Sequence, residues 1–450
     1  MRQPLAILLS LCLTPAWAGN YLVSTPHTSL MVTADKDRAP LFQFYGPKVT
    51  NAGEIFSTGM ALNRPSYPAF GLHTEGEQAI AIPPPDGNMT LDLAADHVDA
   101  TTDSEGRLLR VVMRDKVYPV QVTQVFKAYN GTDVISTWVE IKNGGRKAVR
   151  LLKYNSAFVS LPRGDNYMSH QHGSWAAENF VDEERLTNGQ KVIANRNGLQ
   201  NTQEDSPSLM ISEDGALSET HGKVLGATLA WPGNYKLKVD AKNTSLSLIA
   251  GINEEESPYL LDGGQTFTTP ELCMTFSDEG KGGVSRALHR WARQYKLHNG
   301  SVPRDILLNS WEGVYFGITE DKMKEMMKDW AGIGGEMFVM DDGWFGDKYP
   351  RNDDHSSLGD WRVNKTKLPG GIGALVKEAT ADGLKFGIWI EPEMANTKSE
   401  FYEKHPDWVL RGKGRELSTG RGGTQVVLDL TNPKVQDFVF HVVDDLMTEN

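Results

Sequence analysis

The hydrophobic period of the chain changes once, near Gly282, and no single sheet or helical bundle accommodates both patterns. From Tyr21 to about Phe276, short alternating runs such as Val134-Ile-Ser-Thr-Trp-Val-Glu-Ile141 and Leu246-Ser-Leu-Ile249 are broken by turn residues at Asn130-Gly131, Asn143-Gly144 and Pro83-Pro84-Pro85. Many short strands with regular turn signals predict a large β-sandwich. Val284, Ala287, Leu288, Trp291 and Tyr295 then fall on one face of a helix, which marks the boundary. After Pro303 the order becomes strand, helix, strand, helix. Ile306-Leu-Leu308, Met337-Phe-Val-Met340 and Lys385-Phe-Gly-Ile-Trp-Ile390 are the strands; one helix carries Met323, Met326, Met327 and Trp330, and another runs from Ile372 to Ala381. Buried apolar strands alternating with helices are what parallel βα units require, and a (β/α)₈ barrel is the leading architecture. The fold class is therefore multidomain, β followed by α/β: residues 19–280 as a β domain, 281–302 as a linker helix and 303–450 as barrel.

Barrel enzymes carry their chemistry at the carboxyl ends of the strands. Here those ends carry Trp311-Glu312, Asp341-Asp342 and Glu391-Pro-Glu393. Aromatic rings beside carboxylates suit a sugar: rings stack on the C–H face of a pyranose, and carboxylates accept from its hydroxyls or serve as nucleophile and acid in glycoside hydrolysis. A turn or N-cap pair is the plain alternative for Asp341-Asp342, and a divalent cation the other, because adjacent carboxylates after an apolar strand are costly unless something binds them. The neighbouring tryptophans favour sugar. Of Glu391 and Glu393, one could face the site and the other pack away.

Other signals carry less. His170 and His172 could both face one side of a strand, but no third zinc ligand stands at useful spacing, so a surface or interface pair is expected. Gly370, Gly371 and Gly373 lack the last glycine of a dinucleotide loop, where Val376 stands, and lead into a helix instead. The methionine set is core. The formal net charge of −12 makes nucleic acid a poor partner. No cofactor and no metal is expected.

The first 18 residues read as a secretory signal: Arg2, an apolar stretch from Leu5 to Leu13, and Ala16-Trp17-Ala18 as the cleavage site. That stretch is too short to span a bilayer, so no membrane partner is expected. The expected destination is the periplasm or the outside of the cell. Cys12 leaves with the signal, so Cys273 remains alone and no intramolecular disulfide is expected. Asn88, Asn130, Asn243, Asn299 and Asn364 begin glycosylation sequons that matter only in a eukaryotic source.

From Asp341-Asp-Gly-Trp-Phe-Gly346 onward the chain resembles the microbial α-galactosidases of glycoside hydrolase family 36, the melibiases. Ser357-Leu-Gly-Asp-Trp361, Lys367-Leu-Pro369, Phe386-Gly-Ile-Trp-Ile-Glu-Pro-Glu-Met394, His405-Pro-Asp-Trp408 and Val427-Leu-Asp429 continue the match in order. Tyr67-Pro-Ala-Phe-Gly71 and His172-Gly-Ser-Trp175 are similar to the family's N-terminal β-supersandwich. The resemblance implies a retaining α-galactosidase acting on terminal α-galactose of melibiose, raffinose-type oligosaccharides or galactomannan. It implies sugar-hydroxyl partners at Asp341 and Asp342, aromatic walls at Trp311 and Trp389, and an arginine at Arg421, with Arg415 or Arg411 as alternatives. It removes Glu391 and Glu393 from catalysis. The family's nucleophile lies in Lys-Trp-Asp and its acid/base later; neither motif occurs here, and Asp429 is not the nucleophile. Both are expected beyond Asn450, with about three of eight βα units present, so residues 19–450 alone are expected to be inactive. Competing expectations are an α-N-acetylgalactosaminidase and a non-catalytic galactose-binding fragment. The resemblance further implies a homo-oligomer, a tetramer, in the full-length form.

Overall fold

In the computed structural model, which describes residues 18–71, 76–84, 86–198, 204–255 and 257–448, strands dominate as far as Ser277 and helices alternate with strands after Leu307. Two compact units result, residues 1–301 and 302–450. The signal reading, with Cys12 and the Ala16-Trp17 part of its cleavage site, and the turn residue Pro85 lie outside the described residues.

The first unit is built on a ten-stranded antiparallel sheet. Four consecutive strands, Leu93–Thr102, Gly106–Asp115, Val120–Tyr129 and Val134–Asn143, form a meander at one side. Leu272–Ser277 returns to pair with Val134–Asn143 and carries the sheet on through Val224–Leu229, Asp205–Ser212 and Tyr167–Ser174 to Ala177–Arg185. A sheet of Ala157–Leu161, Leu246–Ile252, Tyr235–Ala241 and Gly189–Ala194, and another opening with Ala18–Ser24, share one apolar core with it. Phe42, Phe126, Ile80 and Tyr235 sit fully buried there. This is the sandwich expected from the alternating runs, with three sheets around one core.

Val120–Tyr129 and Val134–Asn143 are buried on almost every residue, polar ones included, because the sheet is covered on both faces. Part of the second cover is the helix Gly280–Trp291, whose Trp291 packs with Tyr129, Val134 and Cys273. The helix that the sequence places between domains thus lies against the first unit. Gly226 lets it approach: a Cβ there would land on the Val284 side chain. Cys273 is a free, buried thiol.

The second unit has three parallel strands, Leu307–Asn309, Met337–Met340 and Lys385–Ile388, in that order. The helix Glu320–Gly332 connects the first pair and is capped by Thr319, whose side chain accepts from the Lys322 amide. Ile372–Ala381 connects the second pair, entered through Gly371 at φ 76°. Met323, Met327, Leu375 and Ala379 pack on Phe338 and Met340, as helical spacing predicted for the methionines. A small antiparallel pair, Met394–Asn396 with Gln425–Val427, and the helix Pro433–Thr448 close the unit. It is a partial (β/α)₈ barrel, with both outer strands bonded on one edge only.

Gly226→Ala is expected to push the Gly280–Trp291 helix off the sheet. Overpacking of this kind costs ~1–3 kcal/mol, and a drop in the thermal midpoint of the first unit checks it.

Candidate functional site

Parallel register brings the three strand ends level. Ser310 N–H donates to the Val339 carbonyl and Trp389 N–H to the Met340 carbonyl, both at 2.9 Å. The next residues on each strand are Trp311, Asp341-Asp342 and Trp389-Ile-Glu391; Trp311, the two aspartates and Glu391 are those singled out at the strand ends, and Trp389 is the aromatic wall that the resemblance implies.

Asp341 is fixed from three sides. Asn309 Nδ2 donates to its Oδ2 at 2.7 Å, the Asp342 amide to its Oδ1 at 2.7 Å, and its own amide to Ser310 Oγ at 3.0 Å. Asn309 Oδ1 also accepts from the Trp311 amide at 2.7 Å, so one asparagine links the first aromatic to the first carboxylate. The Trp311 ring meets Phe316 edge-on at 5.0 Å and Tyr315 at 5.3 Å. Trp344 Nε1 donates to the Trp389 carbonyl at 3.0 Å, and Trp361 stands 6.2 Å from the Trp389 ring. The Trp361 indole N–H is buried with no hydrogen-bond partner among the described residues.

Asp342 is buried, and Arg351 answers its charge. Arg351 Nε donates to Oδ1 and Oδ2 at 2.9 and 3.1 Å, and Nη2 to Oδ2 at 2.7 Å. Burial raises the proton affinity of Asp342 while the guanidinium opposes it. Beneath this pair, Lys367 Nζ donates to the carbonyls of Gly343, Arg351 and Phe316 at 2.6, 2.7 and 3.1 Å, spending all three protons. Burial lowers its ammonium to about 8, against the pull of Asp342. The loop that holds these groups needs glycine at Gly346, where φ is 87° and a Cβ would strike the Ser357 side chain and the Tyr349 carbonyl.

Glu391 and Glu393 are both half-buried. Burial, then the charge of Glu393, raise Glu391 to about 7, and Arg421 works the other way. Arg421 is exposed, with Nη2 3.2 Å from Asp354 Oδ2; Arg411 and Arg415 are exposed and enter no ion pair among the described residues. Sequence reasoning missed Arg351, Asp354, Lys367 and Asn309. The Arg351-Asn-Asp-Asp354 run, just after two carboxylates in need of a counter-charge, was the available signal. Among the described residues the one group at metal-ligand spacing is His441, Asp444 and Asp445, exposed on the last helix. His170 and His172 share a strand with ring centroids 6.1 Å apart, but His170 is buried beside Asp205. The surface-pair expectation therefore holds only for His172, because covering of the sheet face takes His170 in.

The family model described as the glycosyl hydrolase family 36 N-terminal domain matches residues 17–262, and the Melibiase model residues 266–450. Alpha-galactosidase AgaA of Geobacillus stearothermophilus is 34% identical over 349 residues, 77% of this chain and 47% of that protein. The bifunctional alpha-galactosidase/sucrose kinase AgaSK of Mediterraneibacter gnavus is 36% identical over 341 residues, 75% of this chain and 36% of that protein. A crystal structure of an AgaA variant in complex with raffinose superposes with a TM-score of 0.88 at 27% identity, covering 96% of this chain and 64% of that one. The chain spans about half the length or less of these curated relatives.

Two outcomes follow from the site. Arg351→Leu leaves the Asp342 charge buried and unpaired, and a loss of ~3–5 kcal/mol in the stability of the second unit is expected by denaturant titration. Glu391, raised from 4.5 to about 7 in the folded chain, holds a proton that the unfolded chain releases, so its contribution to stability falls as pH rises from 4.5 to 7 and is flat above. Glu391→Gln removes that slope from the pH dependence of the thermal midpoint.

Proposed function

Because the chain belongs to glycosyl hydrolase family 36, we propose that it provides the sugar-recognising part of an α-galactosidase, an enzyme that hydrolyses terminal non-reducing α-D-galactose from raffinose-type oligosaccharides, melibiose or galactomannan with retention of configuration. The observation that carries this reading is the meeting of Trp311, Asp341, Asp342 and Trp389 at adjacent parallel strand ends. Trp311 and Trp389 supply rings for the C–H faces of the sugar. Asp341, held by three hydrogen bonds, and Asp342, forked by Arg351, supply acceptors for hydroxyls, with Arg421 as donor. Such pre-set polar groups beside apolar walls fix the orientation of a ligand. The structures of AgaA variants with raffinose and with stachyose support the substrate class.

Bond cleavage needs the two carboxylates that such hydrolases place across the glycosidic bond. No Lys-Trp-Asp occurs in the 450 residues, and the family's nucleophile is assigned to a following strand. The reading includes export, with residues 1 to 18 removed; amino-terminal sequencing of the exported protein is expected to begin at Gly19. It also includes self-association, supported by the exposed Trp175, Phe180 and Val181 along one hairpin; sedimentation at the mass of four chains checks the tetramer.

The deciding measurement is hydrolysis of nitrophenyl α-D-galactoside by the protein that the complete reading frame encodes, beside the α-N-acetylgalactosaminide and the β-galactoside. A kcat/KM for the α-galactoside at least ~100-fold above both is expected, a difference within reach of a few pocket contacts. Residues 19–450 alone are expected to release no nitrophenol. Failure of the encoded protein to cleave the α-galactoside overturns the reading.

A further inference from the structure

Four charged side chains alternate in sign between the second barrel strand and the loop before Gln425–Val427: Asp342, Arg351, Asp354 and Arg421. Arg351 has no exposed surface. Beyond its fork on Asp342, its Nη2 reaches Asp354 Oδ1 at 3.3 Å, and the other Asp354 oxygen lies 3.2 Å from Arg421 Nη2. Arg351 Nη1 donates to the Ser356 carbonyl and to Asn396 Oδ1, both at 3.0 Å, so the guanidinium cannot turn without abandoning acceptors on three segments. Asn396 Nδ2 donates in turn to the Asp354 carbonyl at 2.9 Å and to Thr424 Oγ1 at 3.0 Å. That second bond anchors the loop that carries Arg421.

We propose that Arg351 and Asp354 are positioning residues that lock the Asp342 carboxylate and the Arg421 guanidinium into one arrangement, so that two groups from distant parts of the chain meet the same galactose. The proposal rests on the α-galactosidase reading above. Arg351 donates to both Asp342 oxygens, so the carboxyl is fixed as an acceptor, the role that a sugar hydroxyl calls for. Arg421 is a long side chain, half exposed at 51%, and without a partner it would sample many rotamers. Asp354 limits that freedom before the sugar arrives, which is the preorganisation a binding group needs. Of the arginines open from sequence, Arg421 is the one that enters this chain of charges.

The test is Asp354→Asn in the galactoside-hydrolysing protein, which keeps the side-chain size and leaves the Arg351–Asp342 fork in place. KM for nitrophenyl α-D-galactoside is expected to rise ~5–10-fold with kcat within ~2-fold, the signature of lost binding that is the same in ground and transition states. In an Arg421→Ala background the same substitution is expected to add less than ~2-fold, because the two act as a unit. An unchanged KM, or an equal rise in both backgrounds, overturns the proposal, as does a fall confined to the thermal midpoint. If the unsubstituted protein cleaves no α-galactoside, the functional reading falls, and amide exchange decides the positioning role separately. Asp354→Asn is expected to speed exchange at residues 421–424 and leave Met337–Met340 unchanged; unaltered exchange at 421–424 overturns it.

Discussion

Arg351 carries a permanent charge to a position without solvent contact, and an unpaired ion there would cost several kcal/mol. The segment from Asp342 to Asn396 is folded so that each of its donor groups meets an acceptor: the Asp342 fork, the Asp354 carboxylate, the Ser356 carbonyl and the Asn396 amide oxygen. The guanidinium also lies over the Phe316 and Phe345 rings, which replace water on its faces. Lys367 repeats the principle beside it, with three carbonyls for one ammonium. A loop that would otherwise be free to wander over a strand end is thereby given one conformation.

This dependence explains what could be read from residues alone and what could not. Strand Met337–Met340 announces itself by four apolar residues, and the carboxylates after it stand out because the chain turns from apolar to acidic in one step. The helix Ile372–Ala381 has the predicted bounds, since its apolar spacing and the glycines before it act locally. Arg351 escaped because its partner is nine residues away across a loop with no periodicity, and nothing in a loop's composition states which charge is buried. The Met394–Asn396 pairing with Gln425–Val427 was equally out of reach: three residues hold no period.

The first unit teaches a related lesson. Alternation of apolar and polar residues signals a strand with one wet face, and Val134-Ile-Ser-Thr-Trp-Val-Glu-Ile141 is one of the alternating runs. Ser136 and Thr137 are nonetheless buried, because the neighbouring strand and the covering structure remove the second face from water. Polar residues of small size tolerate this better than charged ones do. Burial on both faces also carries His170 inside, where its position on a bulged strand gives no warning from sequence.

The returning strand Leu272–Ser277 fills the gap beside Val134–Asn143, so the centre of the ten-stranded sheet is joined by segments well over a hundred residues apart. Contacts of that span make folding slow. On a ribosome adding about 5–20 residues each second, the inner strand would wait on the order of ten seconds for its partner to be made. During that interval one edge of the meander has no backbone to bond with. Until Leu272–Ser277 emerges, the exposed edge of Val134–Asn143 is open to pairing with any other strand, so the order of synthesis leaves the centre of this sheet as its last part to close.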